Sequence, residues 1–227
     1  MVERCLLCQS AIIFELKPSQ ILGLQAIDPL PICQQCLQEF SFITPPYCPK
    51  CFKPNTQDIC HDCQLWQQQG YQDLTHQALF RYNEAMHDYF KRYKRYGDYQ
   101  LRNCFQKLLA HKLHTVKGPV IYIPSAKDHL QQRQFDPVVG LFKDLVTLTP
   151  ALVKLPTPQA QAQKNRQERL QTPQFLRFNQ RFNSILQAPQ ILIVDDIYTT
   201  GRTILHAYDC LRQVGFQGKI SSFSLAR

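Results

Sequence analysis

The chain has 227 residues, enough for one medium core or for a domain of about 150 residues with a smaller appendage. Its formal charge of +9 and pI near 9.1 favour polyanionic partners over strongly basic ones. No apolar stretch approaches the roughly 20 residues that cross a bilayer, so no membrane insertion is expected.

The opening Met-Val-Glu-Arg-Cys-Leu-Leu-Cys has neither a basic n-region nor a long apolar h-region, so no secretory signal is expected and the compartment is expected to be cytoplasmic. In a reducing compartment, paired cysteines read as metal ligands more readily than as disulfides. Eight of the ten cysteines form four Cys-x-x-Cys knuckles, Cys5/Cys8, Cys33/Cys36, Cys48/Cys51 and Cys60/Cys63. Each knuckle delivers two sulfurs from one tight turn, and two knuckles complete a tetrahedral zinc site. Two zinc ions are therefore expected. Both would be structural, because four thiolates leave no open position for a substrate. Sequential pairing is the simplest arrangement. Spacers of 24 and 8 residues fall on either side of the usual 15 to 20 of zinc ribbons, so a cross-braced pairing is also open. Eight thiolates and two Zn²⁺ would lower the net charge to about +5.

Residues 1–66 are expected to form this four-knuckle module, 67–76 a glutamine-rich junction, and 77–227 an α/β domain. The pattern predicts a strand over Ala78 to Tyr82. Two helices follow, carrying Ala85, Tyr89 and Tyr93, then Leu101, Phe105, Leu108 and Leu109, and Gly97-Asp98 divides them. Pro119-Val-Ile-Tyr-Ile-Pro124 reads as a buried strand, Asp136 to Leu148 as a helix, and Leu152 to Leu155 as a short strand. Residues 156–174 are polar, basic and proline-punctuated, and predict a mobile excursion. Ile191 to Val194, Thr203 to Val214 and Lys219 to Leu225 read as strand, helix and strand. Strands alternating with helices imply a parallel sheet covered on both faces. Cys104 and Cys210 fall on helices beside apolar residues and are expected to be packed thiols.

The strand at 191–194 runs into Asp195-Asp196-Ile-Tyr-Thr199-Thr200-Gly201-Arg202-Thr203. A tight turn between a parallel strand and a helix aims several backbone N–H groups at one point, which suits a phosphate. Thr199, Thr200 and Thr203 add hydroxyls, and Gly201 lets the backbone approach without a β-carbon. The two acids are placed to accept bonds from vicinal ribose hydroxyls and to help hold hydrated Mg²⁺. The block reads as a sugar-phosphate site.

This block resembles the phosphoribosyl pyrophosphate loop of type I phosphoribosyltransferases. With the knuckles in front, the layout resembles the ComF/GntX family of competence-associated, phosphoribosyltransferase-like proteins. The resemblance implies a type I phosphoribosyltransferase-like sheet behind a double zinc ribbon. It implies Asp195 and Asp196 as catalytic acids, Ser125-Ala126-Lys127 as the pyrophosphate turn, and Gln161, Lys164, Arg166 and Arg169 on a loop that closes over the site. The family's Arg-Gly-Phe-Asn stretch corresponds to Arg133-Gln134-Phe135-Asp136, where Gln and Asp replace Gly and Asn. Phosphoribosyl pyrophosphate with magnesium, single-stranded DNA and a competence helicase are the partners implied.

Tyr89-Phe-Lys-Arg-Tyr-Lys-Arg-Tyr96 interleaves rings with Lys91, Arg92, Lys94 and Arg95. Exposed, it would stack on unpaired bases and meet phosphates. As an amphipathic helix, it would bury Tyr89, Tyr93 and Tyr96 and leave the cations solvated. Three functions are consistent with the sequence: a phosphoribosyl-pyrophosphate-binding competence protein, a salvage or biosynthetic phosphoribosyltransferase, and a non-enzymatic zinc-ribbon adaptor or ligand sensor.

Overall fold

A computed structural model describes residues 4–13, 18–22, 29–156 and 173–227. Its centre is a five-stranded parallel sheet in the order β1-β7-β6-β2-β3, formed by β1 (Thr75–Phe80), β2 (Val120–Tyr122), β3 (Leu148–Thr149), β6 (Gln190–Ile197) and β7 (Lys219–Ala226). β4 (Leu152–Lys154) and β5 (Leu176–Phe178) pair antiparallel beside it. The fold is α/β, as expected.

β6 is the strand on which the others assemble. Ile191, Ile193 and Val194 are wholly buried, each contributing about 1.5–3 kcal/mol. Alternate residues separate two cores. Leu192, Val194, Phe223 and Leu225 meet helices α4 (Glu84–Arg95), α5 (Gln106–Leu113) and α7 (Pro137–Phe142), together with a 3₁₀ segment at Tyr99–Phe105. Ile191, Ile193 and Ile220 meet α8 (Arg202–Gln213) and a 3₁₀ segment at Gln180–Gln187.

The cysteine-bearing segment covers the β1 edge. Ile43 N donates to Leu79 O at 2.9 Å, Arg81 N to Ser41 O at 2.8 Å, and His76 N to Lys50 O at 2.7 Å. These bonds occupy an edge that would otherwise template association. The same segment straddles the sheet: Cys5 joins the first core, and Cys48, Cys51, Cys60 and Cys63 join the second. Helix α3 (His61–Gln68) takes in only the first two residues of the segment read as a junction, and β1 begins at Thr75, inside that segment.

The largest boundary differences from the sequence reading concern β1, α7 and β6. β1 starts at Thr75 instead of Ala78, because polar His76 is buried on bonds to the Ser222 and Ser224 hydroxyls at 3.0 and 3.1 Å. α7 ends at Phe142 instead of Leu148. Asp136 caps it through bonds from Val138 N and Val139 N, Pro137 occupies its first turn, and Leu145 and Val146 then fold back onto Phe142 O. Those two side chains still pack on the core, so the apolar rhythm persists through a turn while Leu148 pairs with Val120. β6 continues past Val194 to Ile197 because β7 runs beside it to Ala226.

α4 begins at Asn83, whose carboxamide accepts from Met86 N at 3.0 Å, and ends on Arg92, Lys94 and Arg95. It buries Met86, Tyr89, Phe90 and Tyr93, and the Tyr93 hydroxyl donates to Pro137 O at 3.0 Å. A β-carbon at Gly140 would collide with that hydroxyl and press on the Tyr99 ring. Gly140→Ala should therefore cost about 1–3 kcal/mol by overpacking, read as a lower urea midpoint with an unchanged slope.

Candidate functional site

The twin acids lie at the carboxyl edge of the sheet. Asp195 pairs with Ser224 across the ladder, and its carboxylate accepts from Asp196 N at 2.8 Å. After Ile197 the chain leaves the sheet for four residues, Tyr198 to Gly201, and α8 starts at Arg202. Gly201 has φ of 81°, the left-handed conformation that glycine adopts without strain. Arg202 N donates to the Thr200 hydroxyl at 3.4 Å, and Leu205 N to Gly201 O at 2.9 Å. Thr199 is exposed, Thr200 is buried, and Arg202 and Thr203 are part-exposed. The order differs from the sequence reading in one respect: β6 is three residues longer, so both acids lie inside the strand and not in the loop after it, and the helix starts one residue earlier.

The Ser125-Ala126-Lys127 turn follows β2, the neighbour of β6, and Ile123 N donates to Val194 O at 3.0 Å. Because the strands are parallel, this turn and the 198–201 turn lie on the same sheet edge. Ser125 N is held by Asp136 at 2.8 Å, Ala126 caps α6 (Lys127–Arg133), and Lys127 is exposed. Gln161, Lys164, Arg166 and Arg169 lie outside the described residues.

Three cations surround the acids. Lys94 Nζ is 2.6 Å from Asp196, with the two side chains 20% and 16% exposed. Burial pulls Lys154 below the ordinary lysine value, and Asp195, Asp196 and Asp136 oppose that pull. Arg133 is likewise lowered by burial and supported by Asp196 and Asp136. The sequence reading missed Lys154 and assigned Lys94 to a nucleic-acid face. The available signal was the position of Lys154 at the end of a short apolar strand, and of Lys94 beside a glycine turn.

The basic aromatic stretch does not act as one surface. Arg92 clasps the first knuckle, donating to Leu7 O at 2.8 Å and Leu6 O at 3.3 Å, and pairs with Asp98. Lys94 turns to Asp196, while Lys91 lies over the Tyr96 ring and Arg95 is exposed. Tyr89 and Tyr93 are core residues, whereas Tyr96 is 69% exposed.

The cysteines assemble sequentially, Cys5/Cys8/Cys33/Cys36 and Cys48/Cys51/Cys60/Cys63, with all ligand atoms of a group within 4.8 Å of one another. Sulfurs 3.7 Å apart (Cys8, Cys33) and 3.5 Å apart (Cys51, Cys60) approach the about 3.8 Å of a tetrahedral zinc–thiolate site. Both groups are built alike. In the leading knuckle, Gln9 N returns to Cys5 O and Phe52 N to Cys48 O, with φ of 63° and 59°. In the closing knuckle, Cys33 and Cys60 start the helices α2 (Gln34–Gln38) and α3. Without a cation the thiols conflict. A hydrogen bond from Cys63 draws Cys51 down to about 5, Cys63 is driven up chiefly by its bond to Cys51, and burial raises Cys60. Zn²⁺ removes that conflict. Arg227, with buried Nε and Nη1 atoms lacking a protein hydrogen-bond partner, provides positive charge that acts on Cys51. The residues fit two structural zinc ions.

Cys104 and Cys210 are buried as expected, and the Cys210 thiol donates to Leu176 O at 2.9 Å. No described helix is long and apolar enough to cross a membrane.

No family model matches the chain. It is 35% identical over 227 residues to Competence protein ComFC of Streptococcus pneumoniae (strain ATCC BAA-255 / R6), covering 99% of this chain and 100% of that protein. It is 29% identical over 241 residues to Competence protein ComFC of Bacillus subtilis (strain 168), covering 98% and 94%.

Metal analysis of the purified chain should find two zinc ions, falling to one in Cys63→Ser or Cys36→Ser. A second expectation concerns Asp195, whose carboxyl is pushed well above 3.8, first by burial and then by Asp196. Between pH 3.8 and its raised folded value, the native chain holds a proton that the unfolded chain has lost. Stability therefore falls as pH rises through that window. Asp195→Asn should raise the urea midpoint at pH 7, and the gain should vanish below pH about 3.8, where both states are protonated.

Proposed function

As the chain belongs to the ComFC family of competence proteins, we propose that it binds phosphoribosyl pyrophosphate and serves the uptake or handling of single-stranded DNA in natural transformation. The observation that carries the binding reading is local. The central strand carries two carboxylates just before its last residue and is followed by a four-residue turn and a helix, with three cations drawn from α4, α6 and β4 acting on the acids.

In this reading Asp195 and Asp196 accept hydrogen bonds from the ribose hydroxyls, and the amides and hydroxyls of Thr199 to Thr203 hold the 5-phosphate. The Ser125–Lys127 turn, with Lys154 and Arg133, faces the pyrophosphate. Magnesium carried by the pyrophosphate supplies charge neutralisation, with Asp195 and Asp196 as its anchors on the protein. Gln161, Lys164, Arg166 and Arg169 shield the site from water. If the sugar is transferred, positive charge develops at ribose C1, and the acids beneath it stabilise that charge while the cations hold the leaving pyrophosphate.

Ordinary base salvage has less support, because the segment before β1 is occupied by the cysteine clusters and the edge cover. Lys91, Arg95 and Tyr96 remain for contact with a DNA strand, since Arg92 and Lys94 are engaged within the protein.

Calorimetry of phosphoribosyl pyrophosphate with Mg²⁺ tests the reading. Wild type should bind, and Asp195→Asn/Asp196→Asn should bind about tenfold more weakly or worse, a loss of at least about 1.4 kcal/mol. Equal affinity in both, or no binding to wild type, would defeat it. Pyrophosphate release on adding nucleobases or DNA ends separates a transferase from a sensor. Anisotropy of a labelled single strand should fall with salt, and Arg95→Gln should flatten that dependence.

A further inference from the structure

Tyr198 is the first residue after β6, and its ring is buried although the turn it opens reaches the surface. The ring stacks on His76 at 4.0 Å between centroids and 26° between planes, and the Arg227 guanidinium lies over it at 4.8 Å. A β-carbon on Gly201 would collide with the Tyr198 hydroxyl. The 198–201 turn is therefore wrapped round its own aromatic residue, which occupies the space that glycine leaves.

The opposite end of this packing is the second cysteine cluster. Cys51, Cys63, Trp66, His76 and Tyr198 line one cavity of about 20 Å³, room for about one water. His76 is tied to the leading knuckle by its bond to Lys50 O, and to β7 through Ser222 and Ser224. Arg227 acts electrostatically on Cys51, His76 and Tyr198 alike. A zinc ion held by four thiolates carries a net charge of −2, which anchors this guanidinium against the ring. The first cluster provides an internal control, since it packs in the other core and Tyr198 does not.

We propose that Tyr198 is a positioning residue through which the second cysteine cluster, and not the first, fixes the shape of the 198–201 turn. Occupancy of that cluster by zinc holds Arg227 and the 48–51 knuckle in place, these hold His76 and the Tyr198 ring, and the ring holds Gly201. The importance of that shape for ligand affinity rests on the sugar-phosphate reading. The coupling itself does not.

Hydrogen exchange of amides 198–205, measured on the zinc-loaded full chain without ligand, tests the coupling. Cys63→Ser should speed exchange there about tenfold or more, while Cys36→Ser should leave it at the wild-type rate. Tyr198→Leu should reproduce the faster exchange with both zinc ions retained, and Tyr198→Phe should restore wild-type protection. Unchanged exchange in Cys63→Ser, equal acceleration in the two cysteine variants, or wild-type exchange in Tyr198→Leu would each overturn the proposal. If the β6 amides 191–194 also lose protection in Cys63→Ser, that variant has unfolded, and the Tyr198→Leu and Tyr198→Phe pair decides alone. A wild-type chain that binds no phosphoribosyl pyrophosphate defeats the earlier reading and leaves this comparison intact.

Discussion

Two adjacent carboxylates at the end of a buried strand impose the constraint around which this molecule is arranged. Asp195 loses hydration and feels Asp196 beside it, so the charged form is costly unless positive groups are supplied. Three elements supply them: Lys94 from α4, Arg133 from α6 and Lys154 from β4. Those cations are themselves desolvated, so each group is tolerable only because the others are present.

The cysteine clusters contribute more than a local clip. Their segment pairs with the β1 edge through Ser41, Ile43 and Lys50, closing a sheet edge with backbone bonds. The two groups extend to opposite cores, so a metal held by each would anchor one face of the same sheet. Arg92 adds a third fastening by holding the Leu6 and Leu7 carbonyls from α4.

The parts of the fold legible in sequence were those set by strictly local chemistry. Four knuckles announce tetrahedral metal sites, an apolar β-branched run announces β6, and Asp-Asp before Thr-Thr-Gly announces a turn into a helix. What sequence concealed was set by partners distant in the chain. His76 looks polar and loop-like until Ser222 and Ser224 satisfy its ring, so the start of β1 was placed three residues late. Leu145 and Val146 keep a helical rhythm beyond the end of α7 because a turn can also face the core. Lys94 shares a cationic octapeptide with Arg92 and Arg95, and only the tertiary structure separates an ion pair with Asp196, a clasp on the first knuckle and a solvated charge.

The choice of a tyrosine at position 198 follows from a conflict inside the turn. Gly201 sits in the left-handed region, which suits glycine, yet glycine brings the largest loss of chain entropy on ordering. Thr199 is exposed, so the contacts that repay that loss come from the buried side of the turn. A large flat ring placed underneath supplies them, because it fills the space beside Gly201. Stacking on His76 then fixes the ring, and the neutral state of His76, enforced first by burial and then by Arg227, keeps the stack free of a second positive charge. The rigidity of the surface turn is therefore borrowed from the interior.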